Sequence, residues 1–187
     1  MEKKRKGKGY NKYKDIIYEI NNENGYMKEF YDNGKLKFEG EHINGDRNGK
    51  GKEYYENGSI IFEGKYLYNK QWEGKGYDTK GNKIYELNNG NGFIKIYNYI
   101  FNIIIFEGDY LHGNINGKCK EYNFKGILIF EGEYINGYKE GLGKEYDFCN
   151  GRLIFEGEYL YNYKRKGKQY DCNGNLIFEG EYLYNKQ

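Results

Sequence analysis

The side chains with the most obvious potential for chemistry are carboxylates that recur along the chain. They belong to the phrases F-E-G-E, F-E-G-K and F-E-G-D, which together occur six times. A row of carboxylates could hold calcium, which takes oxygen ligands. The acidic members of the phrases are Glu39, Glu41, Glu63, Glu107, Asp109, Glu131, Glu133, Glu156, Glu158, Glu179 and Glu181.

Lysines at matching intervals offer these carboxylates a simpler role. Opposite charges on neighbouring strands stabilise a sheet, by about 0.2 to 1 kcal/mol for an exposed pair. No calcium loop of the EF-hand type accompanies the acids. We therefore interpret the acidic series as paired, solvated charge and predict no metal or other cofactor. The lysines expected to pair with it are Lys52, Lys120, Lys144 and Lys168.

Residues for acid–base or nucleophilic catalysis do not form a set. His42 takes the place of a repeat tyrosine, His112 lies in a predicted turn, and Ser59 is the only serine. No group of nucleophile, base and orienting residue can be assembled from them. The three cysteines follow no metal-binding spacing, and Cys119 replaces a repeat glycine. We predict reduced thiols and a protein that is not an enzyme.

The interval between phrases defines the elements that must position these side chains. Successive copies begin 20 to 25 residues apart, and a period of this size indicates a repeat array. Glycine-containing turns separate each phrase from a second motif, G-K-E-Y, so one period predicts one β-hairpin. The copies begin at Tyr18, Phe38, Phe62, Tyr85, Phe106, Phe130, Phe155 and Phe178, with the worn variants Y-E-I-N and Y-E-L-N at the two tyrosines.

Alternation along the strand gives its two faces different chemistry. In L-I-F-E-G-E-Y, the leucine, phenylalanine, glycine and tyrosine share one face, and the glutamates lie on the other. We expect the glycine to make room for a ring from a neighbouring strand to lie over bare backbone. The structural positions of the repeat are Phe38, Gly40, Phe62, Gly64, Phe106, Gly108, Phe130, Gly132, Phe155, Gly157, Phe178 and Gly180.

Tyrosine and phenylalanine supply most of the apolar surface. The chain has 24 Tyr, 11 Phe and no Pro, which suits a thin sheet covered by rings better than a thick core. Rigid rings with a polar tip suit a protein partner, and internal packing of the same rings is the alternative. The candidate partner-binding residues of this aromatic face are Tyr66, Tyr110, Tyr134, Tyr159 and Tyr182.

The stretch F-E-G-E-Y-I-N-G-Y-K-E-G-L-G-K-E-Y, from Phe130 to Tyr146, resembles the MORN repeat. The resemblance covers nearly the whole chain. It implies an all-β fold, an elongated single-layer antiparallel β-meander of about eight stacked hairpins, open and twisted, with a lengthwise groove. We expect one array over 1–187, roughly 75 Å long, with half-repeats at both ends. The worn hairpins near 18–30 and 85–105 are expected to bend or cap the array locally, and an interruption of the groove is expected near 85–105.

Two basic clusters suggest a lipid partner. Segments of this kind attract anionic lipid at about 1 kcal/mol per residue, and the MORN resemblance implies phosphoinositide binding. The acidic series repels the same headgroups. Interleaved charge with a net value of +2 argues against nucleic acid as a partner. The candidate lipid contacts are Lys3, Lys4, Arg5, Lys6, Lys164, Arg165 and Lys166.

These observations favour a non-catalytic scaffold that mediates protein–protein contacts or self-association through strand edges. The alternative is a peripheral membrane module that binds anionic phospholipid. No apolar run is long enough to span a bilayer, and the N-terminus lacks the apolar region of a signal peptide. We expect a cytoplasmic protein, with association to membrane or cytoskeleton left open.

Overall fold

The computed structural model describes residues 7–11, 13–14, 16–20 and 24–183. All regular structure in these residues is β. The strands are β1 (Gly7–Tyr10), β2 (Ile16–Ile20), β3 (Asn24–Phe30), β4 (Leu36–Ile43), β5 (Asp46–Tyr54), β6 (Ile60–Leu67), β7 (Lys70–Tyr77), β8 (Lys83–Leu87), β9 (Gly92–Asn98), β10 (Ile103–Leu111), β11 (Asn114–Tyr122), β12 (Leu128–Ile135), β13 (Tyr138–Tyr146), β14 (Leu153–Leu160), β15 (Tyr163–Tyr170) and β16 (Leu176–Glu181).

The strands form two antiparallel meanders. Strands β1 to β8 make one eight-stranded sheet and β9 to β16 make a second, each in sequence order. The predicted all-β meander of hairpins is confirmed. The chain correspondingly divides into two compact units, the first ending at Gly92 and the second beginning at Phe93. The length expected for one continuous array stays a prediction.

The change of sheet falls in the worn hairpin near 85–105, where the sequence predicts an interruption. After β8 the ladder ends in a single bridge between Asn88 and Asn91. The Gly90 amide of this turn donates to the Trp72 carbonyl at 2.6 Å, which ties the turn to β7. The earlier worn hairpin, near 18–30, pairs β2 with β3, and its residues 21–23 lie outside the described chain.

Turn chemistry fixes the hairpin geometry on both sides of each sheet. Tight turns such as Asn136 and Gly137, with φ of 52° and 88°, adopt the left-handed backbone that twisted two-residue hairpins need. The longer turns on the opposite side are closed by a side chain. The Asp78 carboxylate accepts the amides of Lys80 and Asn82, both at 2.9 Å.

Rings cover one face of each sheet and form its core. Phe38, Phe62, Phe130 and Phe155 are at most 1% exposed. The Phe130 ring packs edge-on against the rings of two neighbouring tyrosines, with centroids 5.8 and 5.4 Å away. The glycines make room for rings, but the ring over Gly132 comes from its own strand and not from a neighbouring one, because a Cβ added at Gly132 would lie 2.8 Å from Phe130 Cζ. We call this side of each sheet the ring face.

Candidate functional site

The face opposite the rings carries a regular row of alternating charge, one residue per strand. We call it the charge row. In the first sheet it consists of Lys8, Glu19, Lys28, Glu39, Lys52, Glu63, Lys75 and Glu86. In the second sheet it consists of Lys95, Glu107, Lys120, Glu131, Lys144, Glu156, Lys168 and Glu179. The four repeat lysines lie opposite acids, as predicted, and Lys52 and Lys168 form ion pairs with Glu63 and Glu179.

Interactions within the chain engage several members of the charge row. Lys52 Nζ lies 3.5 Å from Glu63 Oε2, and the Tyr77 hydroxyl donates to Glu63 at 2.6 Å. This hydrogen bond lowers the pKa of Glu63 and raises the pKa of Tyr77 to about 12. Tyr122, Tyr146 and Tyr170 donate to Glu107, Glu131 and Glu156 in the same way. The charge row therefore stabilises the pairing of neighbouring strands.

Each unit forms a groove on this face. The groove of the first unit has a volume of about 790 Å³, and that of the second unit about 800 Å³. Glycine backbone forms the floor of each groove. The positions where these glycines would carry side chains lie on the ring face, so no side chain covers the backbone on the groove side. In the second unit this floor includes Gly132, Gly143, Gly157, Gly167 and Gly180.

A second line of side chains runs beside the charge row in the groove of the second unit. We call it the contact row, and it consists of Phe93, Lys118, Glu133, Leu142 and Lys166. Leu142 is 65% exposed and Phe93 is 47% exposed. No ion pair within the described chain involves the two lysines or the glutamate of this row. The apolar side chains of this row, Phe93 and Leu142, are available to an external partner.

Leu142 departs from the repeat. It faces Glu158 across the strand pair β13–β14, and the equivalent position in two other hairpins is occupied by Lys118 and Lys166. An exposed leucine among charged side chains leaves apolar surface in contact with water and adds no buried area to the core. The sequence analysis missed this residue, although its departure from lysine is the signal that could have identified it.

On the ring face, cations lie over the phenylalanines and pair with glutamates. Lys139 Nζ is 3.8 Å from the centroid of Phe130 and 3.0 Å from Glu121 Oε2. Lys164 Nζ repeats this arrangement over Phe155, at 4.5 Å from the centroid. In the hairpin of Phe106, isoleucines replace both the cation and the glutamate of this ion pair. The two members of the pair are therefore substituted together. The two isoleucines are Ile115 and Ile96.

The predicted tyrosine surface is largely covered. Tyr66, Tyr134 and Tyr159 are 2%, 5% and 3% exposed, because the rings of adjacent hairpins pack on both sides of each. Their assignment to a partner-binding surface is wrong, and the alternative of internal packing holds for these three. Tyr110 and Tyr182 are partly exposed, and the Tyr182 ring lies 5.6 Å from that of Phe155.

The second basic cluster does not form one patch. Lys164 is on the ring face and lies 2.7 Å from Glu145 Oε2. Arg165 Nη1 is 3.6 Å from Glu158 Oε2, and Lys166 lines the groove. These three candidate lipid contacts are thus divided between two faces. The other four, Lys3, Lys4, Arg5 and Lys6, lie outside the described residues.

Apolar side chains stand exposed at the tips of the longer turns in the second unit, and the sequence analysis did not identify them. The corresponding turns of the first unit carry Asp32, Glu56 and Thr79. The rings of Phe124 and Phe148 lie 5.5 Å apart, although they come from different turns. We call these side chains the turn-tip row. They are Ile100, Phe101, Phe124 and Phe148, with exposed fractions of 65%, 56%, 48% and 47%.

Two residues with potential for chemistry, His42 and Cys119, lie in the interior of the fold. His42 is 2% exposed, and its Nε2 lies 3.4 Å from Glu29 Oε1. Burial acts to raise the pKa of Glu29, but hydrogen bonds from Arg47 and His42 outweigh it and lower that pKa to about 2. Burial raises the pKa of the Cys119 thiol to about 12. Within the described residues, no group of His, Cys, Asp and Glu could hold a metal ion.

Comparison of the chain with protein-family models and with curated proteins found no match. Among the residues that the structure describes, no helix is long and apolar enough to cross a membrane.

Proposed function

We propose that this chain is a non-catalytic scaffold of the MORN type, which binds a segment of a partner protein along the groove of its second unit. The contact row is the observation that carries the proposal. It combines an exposed leucine with two lysines that form no ion pair within the described chain, although each lies opposite a glutamate. Exposed apolar side chains with a polar surround are typical of protein interaction sites.

The difference between the two grooves supports the choice of the second unit. In the first unit, two side chains beside the charge row pair with each other. Lys65 Nζ lies 2.7 Å from Glu73 Oε2. A partner would have to replace this interaction before gaining its own. The second unit imposes a smaller desolvation cost on its ligand.

Self-association is a second route by which this scaffold can act. Within the described chain, the edge strands of the two sheets, β1, β8, β9 and β16, each pair on one side only. Unpaired strand edges recruit further strands unless they are blocked. Light scattering at increasing concentration measures this directly, and a constant monomer mass would contradict it.

Selection from a random peptide library tests the groove proposal without assuming a ligand. Peptides enriched on the purified chain should lose at least about tenfold in affinity for the Leu142→Lys variant. The matched control is Leu111→Lys. Leu111 is the last residue of β10, is 42% exposed and does not line the groove. Enriched peptides that bind both variants equally would contradict the proposal.

The turn-tip row favours a second candidate function, peripheral membrane binding. Its side chains project from consecutive turns on one edge of the sheet, with Lys125 and Arg152 beside them. Aromatic and aliphatic groups next to cations suit the boundary between lipid headgroups and acyl chains. This arrangement differs from the basic clusters because burial of apolar area, rather than charge alone, would contribute the affinity.

Vesicle sedimentation separates the two candidates. With vesicles of phosphatidylcholine and phosphatidylserine, a membrane module should sediment, and Phe124→Ser with Phe148→Ser should reduce the bound fraction severalfold. Leu142→Lys, which alters the groove, is the control and should leave vesicle binding unchanged. Sedimentation that does not respond to the phenylalanine substitutions would exclude the turn-tip row as the membrane contact.

A further inference from the structure

Two edge strands of the described chain, β1 and β16, carry the two halves of a strand pair that occurs inside the first sheet. The β1 sequence G-K-G-Y is identical to the last four residues of β7, and β16 shares I-F-E-G with β6. Strands β6 and β7 pair antiparallel, with Lys75 opposite Glu63 and Gly74 opposite Gly64. The β6–β7 pair therefore shows how β16 and β1 would fit together, and this comparison deepens the self-association proposed above and rests on it.

The glycines of the two edge strands lack a contact that their internal counterparts make. A Cβ at Gly64 would lie 2.7 Å from Gly74 Cα, because the two backbones approach closely. Gly7 has nearly the same φ as Gly74, 156° against 154°, but a Cβ at Gly7 would meet no described atom within 4 Å. At Gly180, the three nearest atoms all belong to the ring of Phe178 on the same strand. Each glycine thus leaves bare backbone open to a second strand.

The ring of Phe178 is the least covered of the repeat phenylalanines, at 41% exposed. Phe62, its counterpart in β6, is fully buried, and the ring of Tyr85 stacks on it with centroids 6.3 Å apart. Tyr18 has the same relation to β1 as Tyr85 has to β7, because each lies opposite the second glycine of its G-K-G-Y strand. Addition of β1 to β16 would therefore bring the Tyr18 ring of a second copy over Phe178.

The two ends of the charge row are complementary. Within each sheet, an internal member of the row lies between two opposite charges on the neighbouring strands. In the described chain Lys8 has one such neighbour, Glu19, and Glu179 has one, Lys168. In the register of β6 and β7, Lys8 of one copy would lie opposite Glu179 of another. The alternation of charge would then continue from copy to copy.

Other pairings of the edge strands fit less well. Two β16 strands that kept glycine opposite glycine would place Glu179 opposite Glu181, and like charges directly opposite each other destabilise a sheet. Strand β9 also has a lysine in the charge row, Lys95, but isoleucines flank it where glycines flank Lys8. The observations therefore favour β1 as the strand that β16 receives.

We propose that copies of this chain join head to tail, with β1 of one copy added antiparallel to the open edge of β16 of another. In this junction Lys8 pairs with Glu179, Gly7 lies against Gly180, and the Tyr18 ring covers Phe178. Backbone hydrogen bonds of the added strand contribute the affinity, and the side chains set the register. Because the two surfaces differ, the contact is heterologous and repeats to give a ring or an open series.

Disulfide trapping tests the register on the intact chain. Lys8→Cys and Glu179→Cys are made in separate chains, each with the two exposed cysteines replaced by Cys149→Ser and Cys172→Ser. Residues directly opposite on antiparallel strands have Cβ atoms about 4.5 to 5.5 Å apart, near the separation that a disulfide requires. After mixing and mild oxidation, the dimer that joins position 8 to position 179 should be the main product.

The matched control for trapping is Lys14→Cys, which places the thiol on an exposed residue after β1 and should give little product with Glu179→Cys. A mixed dimer of positions 8 and 179 that is no more abundant than chance pairing would overturn the proposal. Equal product from the control would overturn it as well.

Light scattering of further variants measures the contribution of each contact. Gly180→Ala should weaken association at least about tenfold, because its Cβ would press on the backbone of the second copy. In the dilute single chain this Cβ meets the exposed ring of Phe178, so thermal unfolding should be nearly unchanged. Lys8→Glu should also weaken association, and adding Glu179→Lys to the same chain should restore part of it by exchanging the two charges. Lys14→Glu is the control for the change of charge.

The outcomes separate this inference from the proposed function. Association that resists both Gly180→Ala and Lys8→Glu would refute the junction of β1 with β16 and leave self-association through another edge. A constant monomer mass would refute self-association and the junction together. Neither result alters the groove proposal, which peptide selection tests independently.

Discussion

Replacing Gly157 with alanine tests the packing on which both grooves depend. A Cβ at this position would press on the Lys166 carbonyl oxygen and would lie 2.6 Å from Gly167 Cα and 2.8 Å from Phe155 Cζ. Carbon atoms in ordinary contact are about 3.5 to 4 Å apart, so β14 and β15 would have to separate by about 1 Å. Overpacking costs about 1 to 3 kcal/mol. Because backbone atoms form the obstruction, we expect a loss of about 3 kcal/mol.

Gly180→Ala is the matched control, since it makes the same chemical change at the same repeat position. There the nearest atom is Phe178 Cζ at 2.9 Å, and Phe178 is 41% exposed, so its ring can turn aside. Alanine also restricts the unfolded chain, which stabilises the fold by about 0.4 to 1 kcal/mol. These effects oppose each other, and we expect a net change within about 0.5 kcal/mol.

Urea unfolding followed by circular dichroism and tyrosine fluorescence measures the contrast. With a urea dependence of about 2 kcal/mol per M, the midpoint of the second unit should fall by about 1.5 M in Gly157→Ala and remain nearly unchanged in Gly180→Ala. Equal shifts in the two variants would refute the account of ring packing over bare backbone.

Three further predictions concern titration, ion pairing and thiol reactivity. The lowered pKa of Glu29 means that its stabilisation is present above about pH 4 and is lost as the pH falls towards 2, so Glu29→Gln should flatten the decline of unfolding free energy over this range; an unchanged decline would contradict it. Lys139→Ile should cost about 1 to 3 kcal/mol by leaving Glu121 without its cation, and adding Glu121→Ile should recover part of this loss in urea unfolding; no recovery would count against paired exchange. Ellman's reagent at pH 8 should modify the two exposed cysteines of the native chain and spare Cys119; rapid modification of all three would argue against its burial.

Local sequence patterns predicted most of the fold because the same pattern recurs in successive repeats. Period-two alternation separated Phe155 from Glu156, and turn glycines marked the hairpins. Lysine and glutamate at matching positions predicted the charge row. The worn phrase at Tyr85 indicated where the sheet is interrupted. Each of these features depends on neighbours along one strand or across one strand pair.

The proposed binding surface was harder to predict because it depends on packing between residues of different hairpins. Alternation places Tyr159 on an aromatic face, but its burial results from Phe130 and Phe155, which belong to the two adjoining hairpins. Similarly, Lys164 is part of a basic run in sequence and an ion-paired cover of a ring in the structure. The departure of Leu142 from lysine is visible in the sequence, but the register was needed to place it opposite Glu158 in a charged groove.

Photo-cross-linking from the groove tests the central claim most directly. A benzoylphenylalanine at position 142 should cross-link to a library-selected peptide when the purified components are mixed. The same group at Ile135, which is 47% exposed outside the groove, should give little product. Efficient cross-linking from position 135 with none from position 142 would contradict the proposal that the groove of the second unit binds the partner.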